Sequence, residues 1–182
     1  MIGSDITPGG AFPAVAPLDE TVDHVRGPAG AHLILEYGDY ECPYSRAAYG
    51  EIQRVERAMR DGVRFAFRHF PLTEIHPHAL AASAAAEAAA LRGRFWEMSD
   101  GLFRRQKALE DQDLRRYAAE LGLDLAVFDA DRTGATVLAR VARDVESGLA
   151  SGQVRGTPTL FIDGILHQGG YDAASLLAAL PA

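Results

Sequence analysis

The chain has 182 residues, 48% of them hydrophobic and 24% charged, with a net charge of −7. That length suits one domain with a sizeable core rather than two. The acidic balance argues against a nucleic-acid binder, which carries a basic patch. The single cysteine, Cys42, excludes an internal disulfide and a zinc site built on several thiolates.

In chain order, residues 1–20 read as a flexible N-terminal arm, rich in Gly, Pro and Ala without periodicity. Met1 to Pro17 lacks the basic and long apolar regions of a secretory leader, and no stretch approaches the ~18 apolar residues of a membrane span. The expectation is a cytoplasmic protein without membrane insertion. Leu33-Ile34-Leu35, continued by Glu36-Tyr37, suits a buried strand. After a loop from Gly38 to Cys42, a helix starts near Pro43, where the missing N–H costs nothing. Ala48, Ile52, Val55 and Met59 form its inner face, and Gly62 stops it. Val63, Phe65 and Phe67 alternate as a second strand, which makes a right-handed parallel βαβ unit.

Residues 77–150 read as helix throughout. An alanine-dense helix spans Ala79 to Leu91. A second carries Phe95, Trp96, Met98, Leu102 and Phe103, and a third spans Asp111 to Leu121. A short turn near Leu125 to Phe128 precedes a long helix over Val137 to Leu149. Thr159 to Ile162 returns to strand, Asp163-Gly164 signals a hairpin, and Ile165 to His167 is its partner. Asp172 caps a last helix that runs through Leu180. The order is βαβ, a helical block, then ββα.

Cys42 falls where a strand ends and a helix begins. First-turn amides there lack intrahelical partners and the helix dipole is positive, so a thiolate is favoured. Arg46 adds to this, and Asp39 and Glu41 oppose it. The loop from Phe70 to His78 shares the carboxyl edge of the parallel strands and is expected beside Cys42. Glu74, His76 and His78 either line a groove there or form a solvated loop. His69 and Trp96 read as structural. No metal site is expected.

Tyr37-Gly38-Asp39-Tyr40-Glu41-Cys42-Pro43-Tyr44-Ser45 resembles the active-site segment of DsbA-like thioredoxin-fold proteins. Gly156-Thr157-Pro158-Thr159-Leu160-Phe161-Ile162-Asp163-Gly164 resembles their cis-proline loop and following hairpin. Phe70-Pro71-Leu72, the alanine-rich helix and Phe95-Trp96-Glu97-Met98 resemble the helical insertion. The resemblance implies an α/β thioredoxin fold over residues 21–182 with a helical insertion at about 77–150. Similar domains occur as free bacterial proteins and attached to sodium/proton antiporters. The resemblance further implies a cis Thr157-Pro158 bond beside Cys42. Cys42 and Ser45 take the catalytic positions, and Pro43, Tyr44, Thr157 and Pro158 border the substrate. Tyr44 either contacts a partner or packs over the helix start.

Dithiol members carry a second cysteine where this chain has Ser45. A second thiol normally resolves the mixed disulfide, and a hydroxyl does not. Ser45 reads as native or as a replacement that traps intermediates, and its hydroxyl is placed to donate to the thiolate. The expected activity is monothiol thiol–disulfide exchange on protein or peptide thiols and disulfides. No cofactor is bound, and an outside thiol such as glutathione completes the cycle as co-substrate. Two other readings stay open: a partner-binding module or redox sensor, and a glutathione-dependent transferase or isomerase resembling the kappa class.

Overall fold

A computed structural model describes residues 15–181. The strands are β1 (His24–Arg26), β2 (His32–Gly38), β3 (Val63–His69), β4 (Thr159–Ile162) and β5 (Ile165–Leu166). They form one sheet in the order β1-β3-β2-β4-β5. β2 and β3 are parallel, joined through helix α1 (Pro43–Met59), and β4 runs antiparallel to β2. Between β3 and β4 lie α2 (Ala79–Ala90), α3 (Phe95–Arg104), α4 (Asp111–Glu120), α5 (Leu125–Arg132) and α6 (Ala135–Ala150). Helix α7 (Ala173–Ala179) follows the hairpin.

The sheet is covered on both faces, which is why most of β2 and β3 is buried, Arg68 and Glu36 included. On one face Ile34, Phe65 and Phe67 pack with Ile52 and Val55 of α1, Met98 and Leu102 of α3, and Leu176 of α7. On the other, Leu35, Tyr37, Ala66 and Phe161 pack with Val15, Phe70 and Val154. The alanines of α2 are buried nearly all round, so small side chains bring that helix close to α3, α5 and α6.

Three features differ from the sequence-based expectation. β1 was not anticipated: three residues are too few to show a period, and the strand exists because β3 offers it an edge. Leu125 to Phe128 belongs to a full helix, α5, rather than a turn. Asp124 caps it by accepting from the amides of Ala126 and Val127, while Phe128 is its one buried anchor. Residues 15–20 of the expected arm are docked: Val15 is buried, and the carbonyls of Ala16 and Pro17 accept from Arg68 at 2.8 and 2.9 Å. The rest of that arm, residues 1–14, lies outside the described residues.

Arg68 in β3 is fully buried and fully employed. Beyond those carbonyls, its Nε and Nη2 donate to the two oxygens of Asp23, at 3.0 and 2.7 Å, and Nη1 donates to the Tyr37 hydroxyl. Burial raises the Asp23 pKa, but bonds from Arg68, the Asp19 amide and Arg143 outweigh it and hold the carboxyl at about 2. Removing one partner of a buried pair strands the other's charge. Arg68→Ala is therefore expected to cost roughly 3–5 kcal/mol of stability, read as a lowered urea midpoint at neutral pH. An unchanged midpoint would mean that the pair contributes nothing.

Candidate active site

Cys42 is the N-cap residue of α1. Pro43 occupies the first helical position, so the first amides facing the sulfur's end of the helix are those of Tyr44 and Ser45, which have no intrahelical acceptor. The cysteine is free and buried, and its Sγ lies 3.3 Å from the Thr157 carbonyl, to which the thiol donates. The Thr157–Pro158 peptide bond is cis. Residues 115 positions apart thus meet at one point, Cys42 from the helix start and Thr157 from the loop before β4. Pro43 and Tyr44 stand outward, Tyr44 at 63% exposure, so the ring does not pack over the helix start.

The loop carrying Cys42 is held by Asp39, whose carboxylate is fully buried. One oxygen accepts from the Glu41 amide at 2.8 Å. The other accepts from the Leu72 amide at 2.9 Å and is hydrogen-bonded to His76 Nδ1 at 2.8 Å. Glu41 accepts from the His78 amide at 2.7 Å and pairs with its ring at 2.9 Å. The Phe70–His78 loop therefore lies against the Cys42 loop, stitched to it by two acid–histidine pairs. Glu74 takes no part and faces solvent.

Ser45 is fully buried, and its Oγ accepts from the Asp39 amide at 3.2 Å. Its oxygen thus supports the loop backbone as an acceptor. A bond from Ser45 to the Cys42 sulfur, expected from the sequence, is not among those found within the described residues.

Two further residues bear on the site. Gln106, just past α3, donates to the carbonyls of Tyr40 and Cys42, both at 2.8 Å, and so ties the helical insertion to the active loop. No local signal marks it, since it reads as one polar residue after a helix. Glu36 sits in mid-β2, fully buried, with both carboxylate oxygens unpartnered. Its Oε1 closely approaches Gly38, where a Cβ would come within 2.9 Å of it and 2.4 Å of the Phe67 ring. A glutamate breaking an apolar strand was visible in the sequence and is the signal that could have found it. Burial, opposed only by the charge of Arg26, raises its pKa to about 8.

Elsewhere, His24, His69 and Glu87 bring three metal-capable atoms within 4.8 Å of one another. Both rings contact the same oxygen, Glu87 Oε1, at 2.8 Å. Arg140 Nε lies 3.9 Å from that oxygen, and His69 Nδ1 has no partner. A metal-bound histidine normally anchors its other nitrogen, and a cation so close opposes a second one. The trio fits a hydrogen-bonded seam better than a metal centre.

The model of the thioredoxin family matches residues 19–182. The chain belongs to the thioredoxin family. Among solved structures, a thioredoxin-like oxidoreductase from Silicibacter pomeroyi DSS-3 superposes with a TM-score of 0.75 at 28% identity, covering 86% of this chain and 89% of that one. BdbD from Bacillus subtilis gives 0.77 at 17% identity, covering 93% and 96%. DsbA-type oxidoreductases thus share this thioredoxin fold, helical insertion included. Na(+)/H(+) antiporter NhaA 1 of Mycolicibacterium vanbaalenii is 47% identical over 169 residues, 91% of this chain and 27% of that protein. The chain spans about a quarter of the length of the curated relatives it matches. Among the described residues, no helix is long and apolar enough to cross a membrane.

The Glu36 carboxyl keeps its proton in the folded thioredoxin domain over a range where the unfolded chain has released it. Stability therefore falls as pH rises from about 4.5 to about 8. Glu36→Gln is expected to flatten that fall, gaining on the order of 4 kcal/mol at pH 9 relative to pH 4.5. Urea midpoints of both proteins at the two pH values measure this, and parallel profiles would contradict it.

Proposed function

We propose that the chain is a thiol–disulfide oxidoreductase working as a monothiol through Cys42. The observation that carries this reading is the meeting of Cys42 Sγ, at the start of α1, with the Thr157 carbonyl beside cis-Pro158, while Ser45 stands where a resolving thiol would be. As a thiol, Cys42 donates to Thr157. The sulfur sits at the N-terminal end of α1, where an attacking thiolate would lose that donor role.

The Cys42 thiolate attacks one sulfur of a protein or peptide disulfide, or of a glutathione adduct. A Cys42–sulfur bond forms, the original S–S bond breaks, and the partner leaves as a thiolate. An outside thiolate, such as that of glutathione, then attacks the Cys42 mixed disulfide. It becomes the new disulfide partner and returns Cys42 as a thiolate. Ser45 carries no thiol and so does not resolve the mixed disulfide, while its oxygen accepts from the Asp39 amide. Pro158 presents no N–H, which leaves the Thr157 backbone to pair with an extended substrate by strand addition. Pro43 and Tyr44 border that path. The cycle fits a compartment rich in reduced thiols, such as the cytoplasm.

A second reading, a partner-binding module, draws on Tyr44 in the first turn of α1 and Ile75 on the Phe70–His78 loop, which are 63% and 68% exposed. Under it, a Cys42→Ser protein would bind its partner as well as the parent does.

Incubation with oxidised glutathione is expected to add one glutathione to Cys42, seen by intact-mass spectrometry and reversed by reduced glutathione. Cys42→Ser is expected to take up none and to lose deglutathionylating activity completely. An unmodified parent protein, or activity retained in the variant, would refute the exchange cycle.

A further inference from the structure

Gln106 stands between α3 and α4, in a turn held from both sides. Three residues before it, Phe103 is buried against the rings of Tyr40 and Tyr49, whose centroids lie 4.8 and 4.5 Å away. Two residues after it, the Ala108 amide donates to the Arg105 carbonyl at 2.8 Å, and the Ala108 carbonyl accepts from the Tyr117 hydroxyl at 2.7 Å. Leu109, next in line, is buried. The Gln106 side chain therefore reaches toward the Cys42 loop from a fixed base.

Its Nε2 donates to the carbonyls of Tyr40 and Cys42 at 2.8 Å each. Both partners are acceptors only, so the amino end of the amide must face them, and both of its N–H groups are used. The position of the Cys42 sulfur follows from the peptide units on either side of its Cα. The unit before it is held by its N–H, since the Cys42 amide donates to the Asp39 carbonyl at 3.1 Å. The unit after it ends in Pro43, which has no N–H, so the Cys42 carbonyl is the only hydrogen-bonding group by which that unit can be held. Gln106 holds it at 2.8 Å, alongside the Arg46 amide at 3.1 Å that opens the α1 ladder. One unit further back, Gln106 holds the Tyr40 carbonyl while the Asp39 carboxylate accepts from the Glu41 amide at 2.8 Å. Asp39 thus serves the donors of this loop and Gln106 its acceptors.

We infer that Gln106 is a positioning residue for exchange at Cys42: its amide fixes the peptide unit that follows the cysteine, so that the sulfur meets a substrate disulfide in line with the bond that breaks. This role rests on the exchange reading above and adds to it the group that aims the nucleophile. Rotation of the unheld unit would carry Sγ away from the Thr157 carbonyl, now 3.3 Å distant, and so from the wall along which an extended substrate pairs. Misplacement of a reacting atom by about 1 Å costs up to about 100-fold in rate. Gln106 moves no proton and no electron, and the bonds made and broken are those already written.

Gln106→Met keeps the length of the side chain and removes both donors. Two rates at Cys42 are compared in parent and variant by intact mass, exchange with oxidised glutathione and alkylation by iodoacetamide. Both reactions consume the thiolate, so their ratio cancels any change in its population. Only exchange needs alignment with an S–S bond lying along the Thr157 wall. The ratio of exchange to alkylation is expected to fall roughly tenfold in Gln106→Met. A tie that serves stability alone lowers the urea midpoint and leaves the ratio where it was, and that result overturns the inference. A second measurement needs no variant. In the parent protein the Gln106 side-chain amide resonances are expected to shift when Cys42 becomes its glutathione mixed disulfide, and unmoved resonances also overturn the inference. If oxidised glutathione leaves the parent's Cys42 unmodified, the exchange reading fails and this role with it. If parent and variant are both modified with the same ratio, only the role of Gln106 fails.

Discussion

The buried carboxylate of Asp39 sets the geometry on which the site depends. A loop that leaves the end of a central strand and turns into a helix exposes backbone amides with no sheet or helix partner. Asp39 takes two of them, from Glu41 and Leu72, and adds the His76 ring, while its own amide goes to Ser45. Cys42 is thereby fixed at the helix start, and the following loop is drawn in beside it. Ser45 has a structural task in this scheme, which gives its burial a cause independent of sulfur chemistry.

The core treats two of its fully buried ionisable residues in opposite ways. Arg68 finds an acceptor for every donor it presents to the interior, and its partner Asp23 stays ionised. Glu36 finds none and is kept protonated by burial. The first arrangement joins the N-terminal segment to the sheet. The second leaves an uncompensated polar group under the loop that carries Cys42. A local rule broken at such a place is expected near a functional centre rather than in a purely structural core.

Much of this was legible in the sequence because the relevant signals are local. Pro43 at a helix start, the alternation of Val63, Phe65 and Phe67, and Asp163-Gly164 with both residues at positive φ each state their own conformation. The juxtaposition of Cys42 with Thr157 was legible only through the family resemblance, since nothing in spacing joins positions so far apart. What stayed hidden was long-range and polar. β1 is defined by its neighbour, Gln106 by carbonyls more than sixty residues away, and the Glu87 seam by side chains from three elements. The roles of His76 and His78 were half visible. Their closeness to Cys42 followed from topology, while their acid partners followed from loop detail.

The single Glu87 oxygen shared by His24 and His69 has a consequence for how the helical block sits on the sheet. Apolar surfaces slide over one another with little loss, because dispersion and burial have no direction. An oxygen held at 2.8 Å by rings from β1 and β3 does not slide. Ala-rich α2 offers an almost featureless contact face, and Glu87 is the peg that indexes it. Five helices are thus hung on the sheet at one angular setting, and with them comes Gln106, whose grip on the Cys42 loop requires that setting.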